Sequence, residues 1–537
     1  MKLKNIGLLL FLYFFNISCN SGNQKPAKLI ITIVVDQMRP DLLTRYEKIY
    51  NGGFKWLIDN GAWYSNTHHE HSYTATGPGH AAIGFGQYPG KIGVLGNSFY
   101  DRDLKKKINC VEDPNSVVVG SSKGKARSFS RYNAYGLGDW LQESSPSSKV
   151  ISIGGKDRTA CILGGKNPTL PLYYNQAGHF ITSSFYRDKL PEWVSEYNSQ
   201  LDFTTYKDSL WIRSLDEKIY TEYSRADFYY GESDEYNRDT YSPVFPIGID
   251  SLTDPNSVIM GRPWFEKEVL KLSLKAIIQE NLGQKDKTDL LFVGLSAMDW
   301  IIHDYGPYSQ EAMDAFIKLD IYLGEFIQNV EKVIGLDNVL FILTADHGGL
   351  PLPEYLVEKG KEAGRINKAH LNEALSWVDE ECIEKYGRKF YYRDGSNFYL
   401  HMNDLKRENV LPNEIFLIVK KHLLNVKGIG AVIDKAQILE SKKQDKITRR
   451  IKNMLHETKS PEIFVIQKEN FLYRSPYGTS HGSPYDYDTH VPLIFSNKNY
   501  EKHKNHKKVE TVDIAPTIAK YLGISIPEYC DGKALDI

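Results

Sequence analysis

The sequence is poor in cysteine and, beyond its first residues, has no long apolar run. Its five cysteines among 537 residues include no CxxC pair, which argues against a zinc–thiolate site. Charge of neither sign dominates, because 66 Lys and Arg face 67 Asp and Glu, and no Lys/Arg-rich stripe is visible. We therefore expect no nucleic acid as a specific partner.

The chain does contain enough apolar material for a large folded body. Hydrophobic residues make up 41% and charged residues 25%, ordinary values for a globular protein, which excludes a disordered chain. The length is roughly three to four times a usual domain of about 150 residues. It therefore fits either several domains or one large α/β domain with insertions.

The first residues have the pattern of an export signal. A positively charged start precedes the apolar run Ile6–Phe15, which is shorter than the roughly 20 residues needed to cross a bilayer. Cys19 lies directly after it in what resembles a bacterial lipobox, although Asn16 is an imperfect match; an ordinary secretory signal is the alternative. We expect a signal peptide over residues 1–18 and a tether over 19–28. The protein would then be periplasmic, with membrane contact only through a lipid anchor at Cys19.

The other cysteines leave disulfide pairing open. An exported protein can form one or two bridges, but pairing cannot be read from a sequence. The four candidates are Cys110, Cys161, Cys382 and Cys530.

Short runs of Ile, Val, Leu and Phe predict buried parallel strands. Amphipathic stretches between them predict helices, and this alternation indicates an α/β sandwich, with a central mostly parallel sheet and helices on both faces. Residues from about 165 to 260 and from about 370 to 475 break the pattern, and we interpret them as insertions that cap the site. The predicted strands are Leu29–Val35, Lys149–Ile153, Leu290–Leu295, Val339–Leu343 and Val491–Phe495, and the clearest helices are Phe265–Leu282 and Ala312–Ile334.

Acidic residues and histidines follow three of these strands. Asp36 ends the first strand, Asp299 and His303 follow the third, and Asp346-His347 follows the fourth. One such carboxylate could be a helix N-cap, but three together favour a ligand site at the carboxyl edge of the sheet. Asp299 and His303 are four residues apart, so one helical turn presents both to the same point. Carboxylate and imidazole without thiolate make Zn²⁺ the default ion.

Thr76 lies in the run TGPGH, which combines a tight turn with the start of a helix. A hydroxyl at a helix N-terminus lies where backbone N–H groups point at an incoming anion. Thr76 is thus a candidate nucleophile toward a phosphate, with a simple N-cap as the alternative.

The order of these motifs resembles the alkaline phosphatase superfamily, from about residue 29 to the end apart from the insertions. The ordered set is Asp36, Thr76 in TGPGH, Asp299-x3-His303, Asp346-His347-Gly-Gly, His481 in TSHGS and a tail like the superfamily's closing helix over Val512–Ile524. Asn97, with Lys156 and Arg158 in GGKDR, is similar to the phosphate-irrepressible, flavobacterial-type enzymes. Those are periplasmic zinc phosphomonoesterases with a threonine nucleophile. The resemblance implies an alkaline-phosphatase-like catalytic domain over residues 29–537.

The resemblance also implies two zinc ions per chain and a role for each residue. One ion would be bound by Asp36, Thr76, Asp346 and His347, the other by Asp299, His303 and His481, while Asn97, Lys156 and Arg158 would hold the phosphoryl oxygens. Small phosphate monoesters would be hydrolysed to an alcohol and inorganic phosphate through a phosphothreonine intermediate. Two Zn²⁺ against three carboxylates leave one positive charge, and Lys156 and Arg158 raise it to three, which suits a dianionic monoester.

Other functions stay open at this point. A phosphodiesterase or nucleotide pyrophosphatase of the same superfamily would keep the metal ligands but usually lacks the Lys/Arg pair. A non-catalytic, glycan-binding lipoprotein would suit the 35 tyrosines. A sulfatase is disfavoured because TGPGH lacks the C/S-x-P-x-R run, and a phosphomutase is disfavoured by the export signal.

Other histidines are weaker candidates for a role in the site. His490 is the competitor of His481 for the ligand role, and we expect His80 to pack beside the nucleophile turn. We interpret a third group as a polar loop, with contacts to the residues around the nucleophile as the alternative: His68, His69 and His71.

Overall fold

The computed structural model describes residues 26–233, 243–249, 253–443, 445–474 and 476–537. The predicted signal peptide, Cys19 and most of the predicted tether lie outside these residues. Ala27 is already buried, and its N–H donates to the Tyr521 hydroxyl at 2.9 Å, so the folded body begins before the predicted end of the tether. Within the described part of the chain, no helix is both long and apolar enough to cross a membrane.

Strands and helices alternate along the described chain. The strands are β1 (Leu29–Val35), β2 (Gly61–His68), β3 (Ser98–Asp101), β4 (Lys106–Asn109), β5 (Val118–Val119), β6 (Val150–Gly154), β7 (Leu170–Tyr174), β8 (Phe180–Ser183), β9 (Asp289–Leu295), β10 (Val339–Thr344), β11 (Gly364–Arg365), β12 (Tyr391–Asp394), β13 (Asn397–Leu400), β14 (Ile429–Asp434), β15 (Ile463–Gln467), β16 (Phe471–Leu472), β17 (His490–Val491), β18 (Leu493–Ser496) and β19 (His503–Glu510). The helices are α1 (Pro40–Arg45), α2 (Gly53–Asp59), α3 (Thr76–Phe85), α4 (Pro89–Ile92), α5 (Leu137–Ser144), α6 (Asp157–Gly164), α7 (Glu192–Gln200), α8 (Glu217–Tyr223), α9 (Pro255–Val258), α10 (Trp264–Gln279), α11 (Ala297–Tyr305), α12 (Gln310–Ile334), α13 (Pro353–Glu358), α14 (Lys368–Tyr386), α15 (Met402–Arg407), α16 (Pro412–Leu423), α17 (Lys435–Glu440), α18 (Lys446–Met454), α19 (Asp486–Thr489) and α20 (Ile514–Leu522).

The central sheet has eleven strands in the order β17-β2-β18-β10-β1-β9-β6-β7-β8-β5, with β19 paired to β2. Its centre, from β10 to β7, is parallel, and β18 and β8 continue it antiparallel on either side. The prediction of a parallel strand over Val491–Phe495 is therefore wrong in direction, because β18 runs antiparallel to β10. The strand is also divided at Pro492, which has no N–H to donate to a neighbouring strand.

The sheet is covered on both faces, which explains why its central strands are continuous apolar runs. Along β1, Leu29, Ile31 and Ile33 enter one core with α2, α10 and α12, whereas Ile30 and Val34 enter the opposite core with α5 and α20. Alternate side chains of a strand point to opposite faces. The predicted α/β sandwich is confirmed.

The second predicted insertion contains a small body of its own. A four-stranded antiparallel sheet, β12-β13-β15-β14, packs with α14 and α16 around a separate apolar core between Ile366 and Phe471. Arg102 of the main body joins it through Glu462, with a 2.7 Å ion pair. The first predicted insertion begins too early, because β7 and β8 within it complete the central sheet.

The four cysteines in the described residues are all free thiols. Cys110, Cys161 and Cys382 are buried, and none of the four is paired with another. The one or two disulfides that the compartment permits are therefore absent from this part of the chain.

Candidate active site

The register of the parallel strands brings the predicted ligands to one edge of the sheet. Val35 at the end of β1 is opposite Leu295 of β9, and Val34 is opposite Thr344 of β10. The next residues on each strand therefore lie side by side, which places Asp36 next to the segments that carry Asp299 and Asp346. Ligands of open α/β sheets bind at this edge.

Thr76 is the first residue of α3 and is buried. Ala75 before it is extended, with φ −144°, so the Thr76 side chain is presented where the chain turns into the helix. A Cβ at Gly79, one turn further on, would lie 2.0 Å from the Asp346 carbonyl oxygen. The glycine therefore lets α3 approach the Asp346 backbone closely enough to bring Thr76 to the strand ends.

The first ligand cluster consists of Asp36, Asp346 and His347, whose ligand atoms all lie within 4.8 Å of one another. His347 Nε2 is 3.5 Å from Asp36 Oδ1 and 3.5 Å from Asp346 Oδ2. These three atoms are buried and make no hydrogen bond. Buried polar atoms normally have partners, so the cluster has the donor set and the unused atoms that a divalent cation requires.

The second cluster consists of Asp299, His303 and His481. Asp299 Oδ1 lies 3.3 Å from His303 Nε2 and 3.6 Å from His481 Nε2. The predicted i, i+4 pair is on α11, as the spacing requires. His481 comes from the loop after the second insertion, and His490 lies elsewhere, with its Nε2 bonded to the Ser65 carbonyl.

The other ring nitrogen of each ligand histidine is held by a backbone carbonyl. Nδ1 of His303 contacts the Thr479 oxygen at 2.8 Å, Nδ1 of His347 the Gly348 oxygen at 2.9 Å, and Nδ1 of His481 the Thr74 oxygen at 2.7 Å. A backbone carbonyl accepts a hydrogen bond from a protonated Nδ1. Nε2 of the neutral ring then carries a lone pair, which faces the carboxylates. This arrangement is typical of metal-binding histidines.

Lys156 lies between the two clusters. Its Nζ is 2.7 Å from Asp36 Oδ2, 2.6 Å from Asp299 Oδ2 and 3.4 Å from Thr76 Oγ1. Lys156 precedes the first residue of α6 and is 8% exposed. A buried ammonium group thus reaches the Thr76 hydroxyl and one carboxylate of each cluster.

Asn97 contacts the turn that carries Thr76, and Arg158 lies at the start of α6, two residues after Lys156. Asn97 Oδ1 accepts the N–H of Gly77 at 2.8 Å, directly after the nucleophile. Arg158, at the start of α6, lies 3.3 Å from Asp157 Oδ1, and its buried Nε makes no hydrogen bond in the described structure. The structure therefore brings Asn97 and Lys156 to Thr76. Burial opposes the charge of Arg158, but Asp157 in its own helix and the nearby Asp36 and Asp299 raise the pKa of its guanidinium.

The charges of the site perturb one another strongly. Burial, Asp299 and Asp346 raise the pKa of Asp36 well above its ordinary value, and burial raises the pKa of Asp346 to about 7. Burial opposes ionisation of Asp299 too, but Lys156 and His303 hold its pKa well below the ordinary value. For all three of these buried carboxyl groups to be ionised together, the site needs more positive charge than Lys156 alone supplies.

Burial also keeps the ligand histidines neutral. It lowers the pKa of His481 to about 4, lowers that of His303, and lowers that of His347 well below its ordinary value. Metals bind the neutral imidazole, so these shifts favour ligation.

The remaining histidines fill supporting positions. His80 Nδ1 bonds the Thr76 carbonyl at 2.7 Å, beside the nucleophile as expected. Of the other three, His68 ends β2 and His69 and His71 lie in the loop that follows, as expected, but all three are buried rather than on a polar surface. His69 Nε2 contacts the carbonyl of Ala345 at 3.0 Å, next to a ligand residue; the buried set is His68, His69 and His71.

Sequence reasoning missed Gln37 and Glu266. Gln37 has a φ of +62°, its N–H donates to Asp346 Oδ1 at 3.2 Å, and its amide nitrogen, turned toward Asp299, donates to Oδ1 at 2.9 Å. Glu266 on α10 accepts the N–H of Ala297 at 2.6 Å, at the start of α11. An amide beside a ligand and a distant glutamate carry no recognisable sequence signal, so only the tertiary structure identifies them.

Known proteins match this chain in sequence or in structure along nearly its whole length. The model of the family "type I phosphodiesterase / nucleotide pyrophosphatase" matches residues 30–507. Alkaline phosphatase PhoV of Synechococcus elongatus is 31% identical over 523 residues, 95% of this chain and 92% of the relative. Alkaline phosphatase PafA of Elizabethkingia meningoseptica is 29% identical over 519 residues, 95% and 94% of the two chains. The crystal structure of wild-type PafA matches with a TM-score of 0.87 and 28% identity, covering 95% of this chain and 98% of that one.

The fold, the two Asp/His clusters and these matches define an enzyme of the phosphodiesterase/alkaline phosphatase superfamily. Within it, the chain belongs to the type I phosphodiesterase / nucleotide pyrophosphatase family. The resemblance drawn from the sequence motifs is confirmed.

Proposed function

We propose that the protein is an exported, zinc-dependent alkaline phosphomonoesterase that acts through a phosphothreonine intermediate. The observation that carries the proposal is the position of Thr76, whose buried hydroxyl contacts a lysine that bridges the two ligand clusters. The names of the relatives PhoV and PafA support phosphatase activity.

The ligand sets divide between two ions. Asp36, Asp346 and His347, with the Thr76 hydroxyl, would hold one Zn²⁺, and the second cluster would hold the other. When bound, two such ions act as Lewis acids that favour the Thr76 alkoxide and stabilise the oxygen of the leaving alcohol.

The chain's own residues then carry out a double displacement. The Thr76 hydroxyl releases its proton to solvent and its oxygen attacks phosphorus. The bond from phosphorus to the alcohol oxygen breaks, and the alcohol leaves with a proton from solvent. Water next attacks phosphorus of the phosphothreonine, and Thr76 regains its hydroxyl as inorganic phosphate is released. Asn97, Lys156 and Arg158 would orient the phosphoryl oxygens throughout.

The cationic side chains favour monoesters over diesters. A monoester brings two negative charges to the phosphoryl oxygens, whereas a diester has one of those oxygens blocked by its second ester group. Lys156 is buried, so its contact with phosphate would be poorly screened by water. A diesterase remains the competing function, supported by the name of the family model.

The cellular location is proposed on the sequence pattern alone. The signal peptide and the lipid-anchored Cys19 lie outside the described residues, and an anchor at this cysteine would hold the enzyme at the periplasmic face of the outer membrane.

Zinc analysis and two variants of Thr76 test the proposal. Purified protein should contain close to two zinc ions per chain and hydrolyse monoesters faster than diesters. Thr76→Ala should retain zinc but lose turnover and the acid-stable phosphoprotein, whereas Thr76→Ser, which keeps the hydroxyl, should retain substantial activity. Near-wild-type turnover by Thr76→Ala would show that the nucleophile is misassigned, and a preference for diesters would favour the competing function.

A further inference from the structure

A cavity of about 1190 Å³ opens beside the second ligand cluster, between the main body and the second insertion. His481 lies on its wall, and the wall continues through Tyr73 and Ser98, the neighbours of the nucleophile turn and of Asn97. The volume is somewhat larger than the range of about 300–1,000 Å³ that is usual for small-ligand sites, so it can hold the alcohol part of a substrate. Because the cavity starts at the cluster that would hold the leaving oxygen, it lies where the alcohol part of an ester would extend.

Tyr73 presents an aromatic ring in this cavity. It lies three residues before Thr76, and 45% of the residue is exposed. Glycines flank both edges of the ring: a Cβ at Gly96 would lie 3.1 Å from Cε1, and a Cβ at Gly482 would lie 3.3 Å from Cε2. Side chains at either position would crowd the ring, so the backbone leaves it accessible beside the catalytic residues.

The insertion supplies aromatic groups to the same cavity. Tyr473 is 38% exposed, and Tyr399 and Phe464 also line the wall, together with the aliphatic Leu371 and Leu375. Exposed aromatic surface costs free energy in water, and such surface in a cavity is typical of sites that bind flat, apolar groups.

Among the described residues, the charged groups of the wall are mostly basic: Lys107, Lys368, Arg393 and Arg474 face the single carboxylate of Asp394. Lys107 lies 2.8 Å from Asp394, and Arg474 lies 2.8 Å from Asp304. These ion pairs offset part of the positive charge of the wall, and the aromatic side chains supply the surface on which an uncharged ring can stack.

We propose that this cavity is a leaving-group subsite that selects phosphate monoesters whose alcohol carries an aromatic ring, with Tyr73 as the stacking surface. The inference rests on the proposed phosphomonoesterase function and adds the substrate class. The ring contributes no chemistry; it is bound by stacking and burial while the phosphoryl group lies at Thr76.

Adenosine 5′-monophosphate and ribose 5-phosphate form a matched pair of probes. Both are esters of the same primary hydroxyl of ribose, so the bond that breaks is alike, and they differ in the adenine ring. With the zinc-loaded enzyme, kcat/KM for the adenosine ester should exceed that for ribose 5-phosphate by roughly 5- to 100-fold, the effect of one ring stacked on an aromatic side chain.

Substitution of the cavity aromatics should remove this preference. Tyr73→Ala should bring the ratio of the two kcat/KM values close to one, and Tyr473→Ala, from the opposite wall, should lower it too. The control is Tyr135→Ala, because Tyr135 is also 45% exposed but lies outside the cavity; it should leave both values unchanged.

The outcomes separate this inference from the proposed function. Hydrolysis of both esters at equal kcat/KM by the wild type, or a ratio that neither Tyr73→Ala nor Tyr473→Ala alters, would overturn the subsite while leaving the phosphomonoesterase in place. If Tyr73→Ala does not fold, the result for Tyr473→Ala decides. Failure of the zinc-loaded wild type to hydrolyse either ester would overturn the proposed function and the subsite with it.

Discussion

At the scale of single residues, Gln37 joins the two ligand clusters. It is fully buried, its N–H holds Asp346, and its side chain can donate to both the carboxylate and the carbonyl of Asp299, at 2.9 and 3.1 Å. Its φ of +62° is unusual for a residue with a side chain, and this conformation directs the N–H and the amide to opposite sides of the site. Such strain at a functional site fits a residue that fixes the spacing of ligands.

Gln37→Leu should therefore weaken zinc binding. The change keeps most of the side-chain volume but removes the donor to Asp299, and loss of a group that orients metal ligands typically lowers affinity about 10- to 100-fold. Zinc affinity is measured by competition with a chromophoric chelator, independently of catalysis. Gln176→Leu is the matched control, because Gln176 also has a positive φ, 57°, and its amide nitrogen donates to the Met260 sulfur. Equal zinc affinities in the two variants would contradict the role of Gln37.

At the scale of elements, the close approach of α3 to the loop after β10 positions the nucleophile. Gly79 faces the Asp346 backbone. A Cβ at Gly84, later in the same helix, would lie 3.5 Å from Leu163 Cδ2, which is an ordinary van der Waals contact. The two glycines share a helix but differ in what a side chain would meet, so they separate close packing from helix propensity.

Gly79→Ala should destabilise the fold and reduce activity, because its Cβ would lie 2.0 Å from the Asp346 carbonyl oxygen and must displace α3. Overpacking of this kind typically costs about 1–3 kcal/mol. Gly84→Ala should be neutral or stabilise by up to about 1 kcal/mol, since alanine favours the helix. Thermal unfolding and kcat/KM of both variants check this; a Gly79→Ala protein as stable and active as Gly84→Ala would exclude the packing argument.

The elements also show what the sequence could predict. The parallel strands β1, β9 and β10 were found within one residue at each end, because a strand buried on both faces is an unbroken apolar run. The strand β7 was missed, since its Pro171 and tyrosines resemble a loop, and the direction of β18 depends on its neighbours rather than on its own residues. The ligands followed from local motifs, whereas Gln37 and the cavity follow from contacts between distant segments.

At the scale of the whole molecule, the fold holds several acids in places where their charged forms are poorly stabilised. Burial raises the pKa of Glu266 to about 8 and that of Asp488 to about 7. Each of these groups binds a proton more tightly in the folded than in the unfolded chain. Their combined effect is a folded state that loses stability as pH rises from the ordinary pKa of a carboxyl group toward 8.

Glu266 offers the cleanest test of this whole-molecule effect. Its Oε1 accepts the N–H of Ala297, its Oε2 is buried without a hydrogen bond, and it lies on α10, outside both ligand clusters. With a folded pKa of about 8 against an ordinary 4.5, its contribution to stability is fully present below pH 4.5 and is lost as pH rises to 8. The shift corresponds to on the order of 5 kcal/mol at most.

Glu266→Gln replaces the protonated acid by a neutral amide of the same shape, so it should remove this pH dependence. The difference in unfolding temperature, variant minus wild type, should increase from pH 5 to pH 8.5. Over that range only the wild type acquires a buried charge at this position. In this difference the contributions of the other titrating groups cancel, provided that both proteins are measured in the same metal-free or zinc-loaded state. Glu373→Gln, on the exposed surface of α14, should show a constant difference from the wild type. A constant difference for Glu266→Gln as well would mean that Glu266 is already ionised at pH 5 and that the N–H groups at the start of α11 outweigh its burial.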